Sequence, residues 1–411
     1  MQICVVSDTY WPDINGVAMS IHRWFSGLEA IGHQVQLVTT PHPDRTGMHI
    51  GYTSAYQTIR ALPVPGYREV KIGLPSNRVL TNLWRSQPPD IIYVATEGLL
   101  GWFAIKLAHQ LQIPVVTGFH TNFQSYSRFY RLGVFQSIIE RYLCALHNRA
   151  ACTIVPTKEQ QTHLSEMGIK NVTVVGRGVD TSLFNPSARS DVLRASWGCE
   201  AEDPVIVYVG RIAEEKNLDL VLAAYNRMRA INPGIKLVMV GNGPAVVRIK
   251  AGYPEVIFAG TQTEDNLAAH YASGDIFLHA SITETFGNVV LEALASGLAV
   301  VSYNYAAGRL HISHNQTGLS VPFDDDQSFI EQSEHLVTQP GLIQGLGAAA
   351  SRYAQTLSWS ATIERLEAVF ETYGNITLRS NANKTSRSRT RQKTYEPAAA
   401  SKVKSSAASG R

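Results

Sequence analysis

The chain has little cysteine, no long apolar run and no clustered metal ligands, and each lack removes a class of protein. Only four cysteines occur in 411 residues: Cys4, Cys144, Cys152 and Cys199. None forms a CxxC pair or stands at metal-ligand spacing from a histidine. The expectation is therefore four reduced, buried thiols, not a disulfide framework or a structural zinc site. The most apolar region, Ile91 to Leu111, is interrupted by Glu97 and Lys106, too soon for the roughly 20 residues that a membrane helix requires. Asp8 breaks the first apolar run, so no secretory leader is expected and the cytoplasm is the expected location. Low-complexity sequence is confined to the end. Arg379 to Arg411 holds nine Lys or Arg and one Glu, so the formal net charge of +3 belongs to this tail and the remaining body is mildly acidic. Rich in Ser, Ala, Asn and Thr, residues 376–411 read as a disordered basic tail. It is either a solvated appendage or an arm for an anionic membrane surface, which would make the protein peripheral on the inner face of the membrane. A specific nucleic-acid partner is not expected.

What is present is an alternation of buried strands and amphipathic helices, at a length that suits two domains. Strands read at Ile3–Val6, Val35–Thr39, Ile91–Val94, Val115–Gly118, Thr153–Val155 and Val172–Val175, with helices between them. After the Gly-, Asp-, Asn- and Pro-punctuated segment Gly176–Ser187, the pattern restarts at Val205–Val209, Leu237–Val240, Val256–Ala259, Ile276–His279 and Leu298–Ser302. Strand, helix, strand in succession means parallel α/β units with right-handed crossovers. The expectation is a doubly wound domain at 1–178 and a second at 179–375, facing each other across a cleft at the carboxyl ends of their strands. The last helix, about Trp359 to Tyr373, could pack back on the first domain.

Candidate chemistry gathers in the strand-end loops. Ser281 to Gly297, SITETFGNVVLEALASG, turns at Phe286-Gly287 and then becomes helical. The N–H groups of Phe286, Gly287, Asn288 and Val289 could hold an anion there. Glu284 and Glu292 bracket that start as hydroxyl acceptors, although acids near a helix start are also favoured by the dipole alone. Gly210-Arg211-Ile212-Ala213-Glu214-Glu215-Lys216-Asn217 ends a strand with two cations that could stabilise a departing diphosphate. The alternative is a surface pair with Glu214 and Glu215. Gly16, in the turn after the first strand, lets the backbone approach a diphosphate closely. His120, directly after a buried strand, could donate to a sugar hydroxyl or a carbonyl, or could be structural. In Val240-Gly241-Asn242-Gly243-Pro244, Val246 stands where a dinucleotide fingerprint has its third glycine, so a backbone contact from Gly241 to a nucleotide base is the better reading. Asp324-Asp325-Asp326 reads as an acidic helix start, and no metal is assigned. Phe123 to Leu146 mixes aromatic and basic residues, suiting a core-facing helix or a membrane-surface one.

Together, the Gly16 loop, GRIAEEK ending at Lys216, VGNGP and ETFGNVVLE resemble family 4 of the retaining glycosyltransferases over about Met1 to Tyr373. The resemblance implies the GT-B arrangement of two Rossmann-like domains, a nucleotide-diphosphate sugar as co-substrate with no cofactor or metal, and transfer to a lipid or glycan acceptor. It implies that Arg211 and Lys216 grip the diphosphate, that Glu292 accepts from the ribose and that Glu284 holds sugar hydroxyls. Phe286, Gly287, Asn288 and Val289 would present amides to sugar and phosphate. Gly16 would close from the other domain, with His120 near the transferred sugar. GFHTNFQSYSRFYRLG looks most like bacterial GDP-mannose-dependent α-mannosyltransferases and related lipid-glycosylating enzymes. Where many members have a glutamate after a Gly-rich turn, this chain reads Ala307-Gly308-Arg309-Leu310-His311, so that loop leaves the donor sugar open. UDP-sugar donors (glucosyl, galactosyl, glucuronosyl or sulfoquinovosyl) with diacylglycerol, a soluble acceptor, an epimerase and a non-catalytic binder are the competing readings.

Overall fold

A computed structural model describes residues 1–13, 15–43, 55–64, 67–120, 136–200, 202–339 and 341–374. The first parallel sheet has seven strands: β1 (Gln2–Ser7), β2 (Gln34–Thr39), β3 (Ala55–Thr58), β6 (Ile91–Val94), β7 (Val115–Gly118), β8 (Cys152–Val155) and β9 (Val172–Val174). They run in the order β3-β2-β1-β6-β7-β8-β9. Between β3 and β6 in the chain, β4 (Ala61–Val64) and β5 (Tyr67–Gly73) form an antiparallel pair of their own. The second parallel sheet has β10 (Val205–Val209), β11 (Lys236–Val240), β12 (Ile257–Gly260), β13 (Ile276–His279), β14 (Ala299–Tyr303) and β15 (Leu319–Val321), in the order β12-β11-β10-β13-β14-β15. The strand order reverses between β1 and β6 and again between β10 and β13. Loops leaving those strands flank the crevice where such sheets bind ligands, and they are the loops that carry Gly16, Arg211, Lys216 and Glu284 to Val289.

Central strands are legible as apolar runs because helices cover both faces; β6 and β10 are buried throughout. The helix Gly16–Ala30 places Ile21, Trp24, Phe25 and Leu28, spaced 0, 3, 4 and 7, on one buried stripe against Ile3, Val5 and Tyr93. Burying such side chains stabilises by about 1.5–3 kcal/mol each. The edge strand β3 was not anticipated: AYQT alternates half-buried and exposed positions. Neither β15, with three residues, nor the β4–β5 pair carries a long apolar run.

The chain crosses between domains twice, side by side. Gly176–Ser187 leads into the second domain, and the Val179 N–H donates to the Leu357 carbonyl at 3.0 Å where the chain returns. The returning helix at 359–374 packs on the first domain, with Phe370 against Phe25 and Tyr93 at ring separations of 6.1 and 5.9 Å, and Glu367 Oε1 lies 2.9 Å from His33 Nε2.

The cysteines depart from expectation. All four are free, but only Cys4 and Cys152 are buried, while Cys144 and Cys199 are half-buried at helix ends or turns. Asp325 caps the helix Asp326–Thr338, its side chain accepting from the Ser328 N–H. Of the segment Phe123 to Leu146, residues 123–135 lie outside the described residues. The helix Gln136–His147 buries Leu143 and Leu146 and leaves Ile138 60% exposed. The basic stretch at 376–411 lies outside the described residues. Among those described, no helix is long and apolar enough to cross a membrane.

Candidate functional site

Gly287 takes a left-handed φ of 93°, open to glycine at little cost, and so turns the loop after β13 into the helix Asn288–Ala295. Phe286 is 2% exposed beneath that turn, its carbonyl accepting from the Ala307 N–H at 2.8 Å. Glu284, just before the turn, lies 2.5 Å from Lys216 Nζ and 3.5 Å from His279 Nε2. Burial works against its ionisation, but Lys216 and His279 together outweigh burial and hold the carboxyl well below the usual carboxylate range. Glu284 is thus a fixed, acceptor-only group. Glu292 lies on the helix itself and accepts from the Tyr271 hydroxyl at 2.9 Å. Burial pushes its carboxyl up to about 7, against the Tyr271 bond and the charge of Arg23. The acid before this helix is held toward its ionised form, while burial lifts the acid within the helix to about 7.

Arg211 and Lys216 leave β10 in a loop that ends in a single 3-10 turn, Glu214–Lys216. Arg211 pairs with the buried Glu215 at 3.1 Å and Lys216 pairs with Glu284, so each expected diphosphate cation also faces a carboxylate of its own domain. The neighbouring loop braces this one. A Cβ at Gly241 would stand 1.9 Å from the Gly210 carbonyl oxygen and one at Gly243 2.2 Å from that of Ile212, so close backbone contact accounts for both glycines. Across the domain boundary, a cavity of about 480 Å³ opens between the helices Lys158–Glu166 and Ala306–His311, lined by Thr162, His163, Arg309 and Leu310. Arg309 and Glu159 span it at 3.2 Å.

From the first domain, Gly16 opens its helix, and among the described residues no atom lies within 4 Å of where a Cβ would project. Asn15 caps that helix, accepting from the Val17 and Ala18 N–H groups, so the approach for a phosphate narrows to Gly16 itself. His120 is placed after β7, as its position in the chain implied, but is only 4% exposed. Its Nε2 lies 2.5 Å from the Tyr93 hydroxyl and its Nδ1 3.4 Å from the Arg177 guanidinium. A guanidinium only donates, so Nδ1 accepts and the proton sits on Nε2. Burial, then the charge of Arg177, lowers the imidazole to about 3; His120 is a neutral hydrogen-bonding group, not an acid.

The two domains meet at Asn288. Its Nδ2 donates to Ser20 Oγ at 3.2 Å, and its Oδ1 accepts from Arg177 at 2.9 Å. The structure thus groups Glu284, Lys216, Phe286, Gly287, Asn288 and Val289 with Ser20 of the first-domain helix that Gly16 opens, and links them through Arg177 to His120. Glu292 and Arg211 flank this group. Sequence reasoning missed Arg177, Ser20, Tyr93, His279 and Tyr271. The one signal for Arg177 was a lone cation between two glycines in the interdomain segment, which read as punctuation.

Two doubly wound domains whose switch-point loops face each other, with a helix starting at Asn288 in one of those loops, have the GT-B arrangement of glycosyltransferases. Residues 14–183 match the family model for Glycosyltransferase Family 4, and residues 190–354 that for Glycosyl transferases group 1. A GDP-mannose-dependent alpha-mannosyltransferase of Mycobacterium tuberculosis is 30% identical over 376 residues, covering 90% of this chain and 96% of that protein. An alpha-monoglucosyldiacylglycerol synthase of Streptococcus pneumoniae is 28% identical over 318 residues, 74% of this chain and 71% of the relative. Anabaena HepE, solved in complex with UDP-glucose, shares the fold at a TM-score of 0.72 and 17% identity, over 90% of this chain and 100% of that one. The chain belongs to the family 4 glycosyltransferases.

Proposed function

We propose that the protein is a retaining α-glycosyltransferase that moves a hexose, mannose favoured, from a nucleotide-diphosphate sugar to a hydroxyl of a membrane glycerolipid. The observation that carries this reading is the contact of Asn288 with Ser20, which sets the helix start at Asn288 against the helix that begins at Gly16. A diphosphate between them lies near two positive dipole ends, with the ionised Glu284 beside it to accept from sugar hydroxyls. The acceptor oxygen bonds to the anomeric carbon on the face the diphosphate leaves. The electron pair of the broken C–O bond goes to the phosphate oxygen, which takes the acceptor's proton. Positioning and charge stabilisation by side chains supply the catalysis, and the scheme needs no divalent metal. Mannose is favoured by the named activity of the mycobacterial relative.

A second reading, a UDP-sugar-dependent diacylglycerol glycosyltransferase, is favoured by the named activity of the streptococcal relative, and the turn at 307–311, which has no glutamate, leaves the donor open. The test offers GDP-mannose, UDP-glucose, UDP-galactose and UDP-glucuronate with anionic liposomes containing diacylglycerol in excess chelator. Nucleoside diphosphate release and labelled lipid are followed. Labelled lipid from GDP-mannose is the expected result, and from a UDP-sugar it establishes the second reading. Donor turnover without labelled lipid indicates a soluble acceptor or an epimerase, and strict metal dependence rejects the ionic scheme.

A further inference from the structure

Arg177 lies where the interdomain segment passes between the two sheets, and its side chain is more deeply enclosed than any cation of the expected site. The residue is 8% exposed. One guanidinium nitrogen donates to Asn288 Oδ1 at 2.9 Å and another approaches His120 Nδ1 at 3.4 Å. The guanidinium carbon stands 5.4 Å from the centre of the Phe286 ring. Among the described residues its buried Nε has no hydrogen-bond partner and the side chain has no ion pair.

That arrangement is unfavourable by itself. A buried guanidinium loses its hydration, and an amide oxygen and an imidazole nitrogen restore only part of it. Burial lowers its pKa to about 10 in spite of Tyr93 and Glu284 nearby, so it stays charged at neutral pH. Packing over the Phe286 ring would be served as well by an unbranched apolar chain. Glu284 is the nearby negative charge, but among the described residues it forms no ion pair with Arg177 and leaves the buried Nε–H unpartnered, a need that an anion would meet. The neighbours point to the anion: Asn288 begins a helix whose first N–H groups have no intrahelical acceptor, the Lys216–Glu284 pair lies in the loops before it, and His120 stands 3.4 Å from the guanidinium.

We propose that Arg177 is a further donor-binding residue, its unpartnered Nε–H taking a non-bridging oxygen of the sugar-bearing phosphate together with the N–H groups at the start of Asn288–Ala295. This rests on the glycosyl-transfer reading and adds a third cation to it, contributed by the connecting segment. As the anomeric C–O bond breaks, its electron pair moves onto that phosphate. The acceptor's proton follows, and Arg177 itself gives up no proton. Its contact strengthens as the phosphate gains charge, which assists the step beyond mere binding.

The test compares wild type with Arg177→Met, which keeps the chain and removes the charge, and with Arg177→Lys. GDP, GMP, UDP and UMP are titrated by calorimetry, ligand-free thermal unfolding is recorded, and kcat and KM are measured with the active donor. Arg177→Met is expected to weaken the diphosphate that wild type binds by about 10- to 100-fold. It should leave the matching monophosphate within about twofold, hold or raise the ligand-free Tm and lower kcat more than it raises KM. Arg177→Lys should recover part of the loss. Equal loss for diphosphate and monophosphate, no loss for either, or a fall in Tm without a diphosphate-specific loss would each overturn the proposal while leaving the transfer reading in place. A wild-type protein that binds neither diphosphate would overturn both.

Discussion

Glu284 and Glu292 sit on one helix start and yet ionise differently. Glu284 meets Lys216 and His279; Glu292 accepts from the Tyr271 hydroxyl, and burial outweighs that bond and the charge of Arg23 to raise it to about 7. An ionised Glu292 is the better acceptor for ribose hydroxyls, and it protonates as pH falls through that value. Affinity for the nucleotide sugar, whose own diphosphate does not titrate in this range, should therefore rise about tenfold from pH 6 to pH 8. Calorimetry should show the slope in wild type, its absence in Glu292→Gln and weaker binding throughout in Glu292→Ala. His120 is lowered to about 3 and so contributes no limb to the rate profile between about pH 5 and 8. His120→Ala should slow transfer by about 10²-fold with donor affinity nearly unchanged, and steady-state kinetics would separate the two effects. Residue identity made these candidates visible. Their charge states were not legible, because burial and partners far along the chain set them.

Helix starts and glycines carry the argument at the level of elements. Gly16 and Gly27 lie on the same helix, and a methyl group at each meets opposite surroundings among the described residues: nothing within 4 Å at Gly16, and Ile363 Cδ1 at 2.0 Å at Gly27. Gly27→Ala should push the helix at 359–374 off the first domain and destabilise by about 1–3 kcal/mol, lowering Tm. Gly16→Ala should leave Tm unchanged or slightly raised and reduce transfer instead. Thermal unfolding and turnover of the two variants form one experiment. Elements buried on both faces were the legible ones, since β6 and β10 read as unbroken apolar runs. Edge strand β3 was not, because its half-exposed alternation resembles a loop. Gly241 carried an ambiguous signal: glycine after a strand suits a ligand contact, but here the neighbouring backbone at Gly210 requires it.

For the molecule as a whole, two parallel crossings join the domains, and Arg23 pairs with Asp180 of the connection at 3.1 Å, so the first-domain helix is tied to the segment about which the cleft would open. The nine basic residues from Arg379 to Arg411 lie beyond both domains in the chain. Removing residues 376–411 should leave donor affinity intact and weaken sedimentation with anionic liposomes at low salt. The difference should shrink at high salt, since each basic residue near such a surface adds about 1 kcal/mol that ions screen. The amino-acid sequence by itself determined the fold class, the two successive runs of parallel α/β units and the strand-end loops that hold the candidate residues. Those follow from local periodicity, from glycine and from the ends of apolar runs. Only the tertiary structure decided that Arg177, Asn288 and Ser20 meet, that His120 is neutral with its proton on Nε2, and that the two glutamates differ. Such facts depend on contacts across as many as 268 residues and on exclusion of water, neither of which leaves a pattern along the chain.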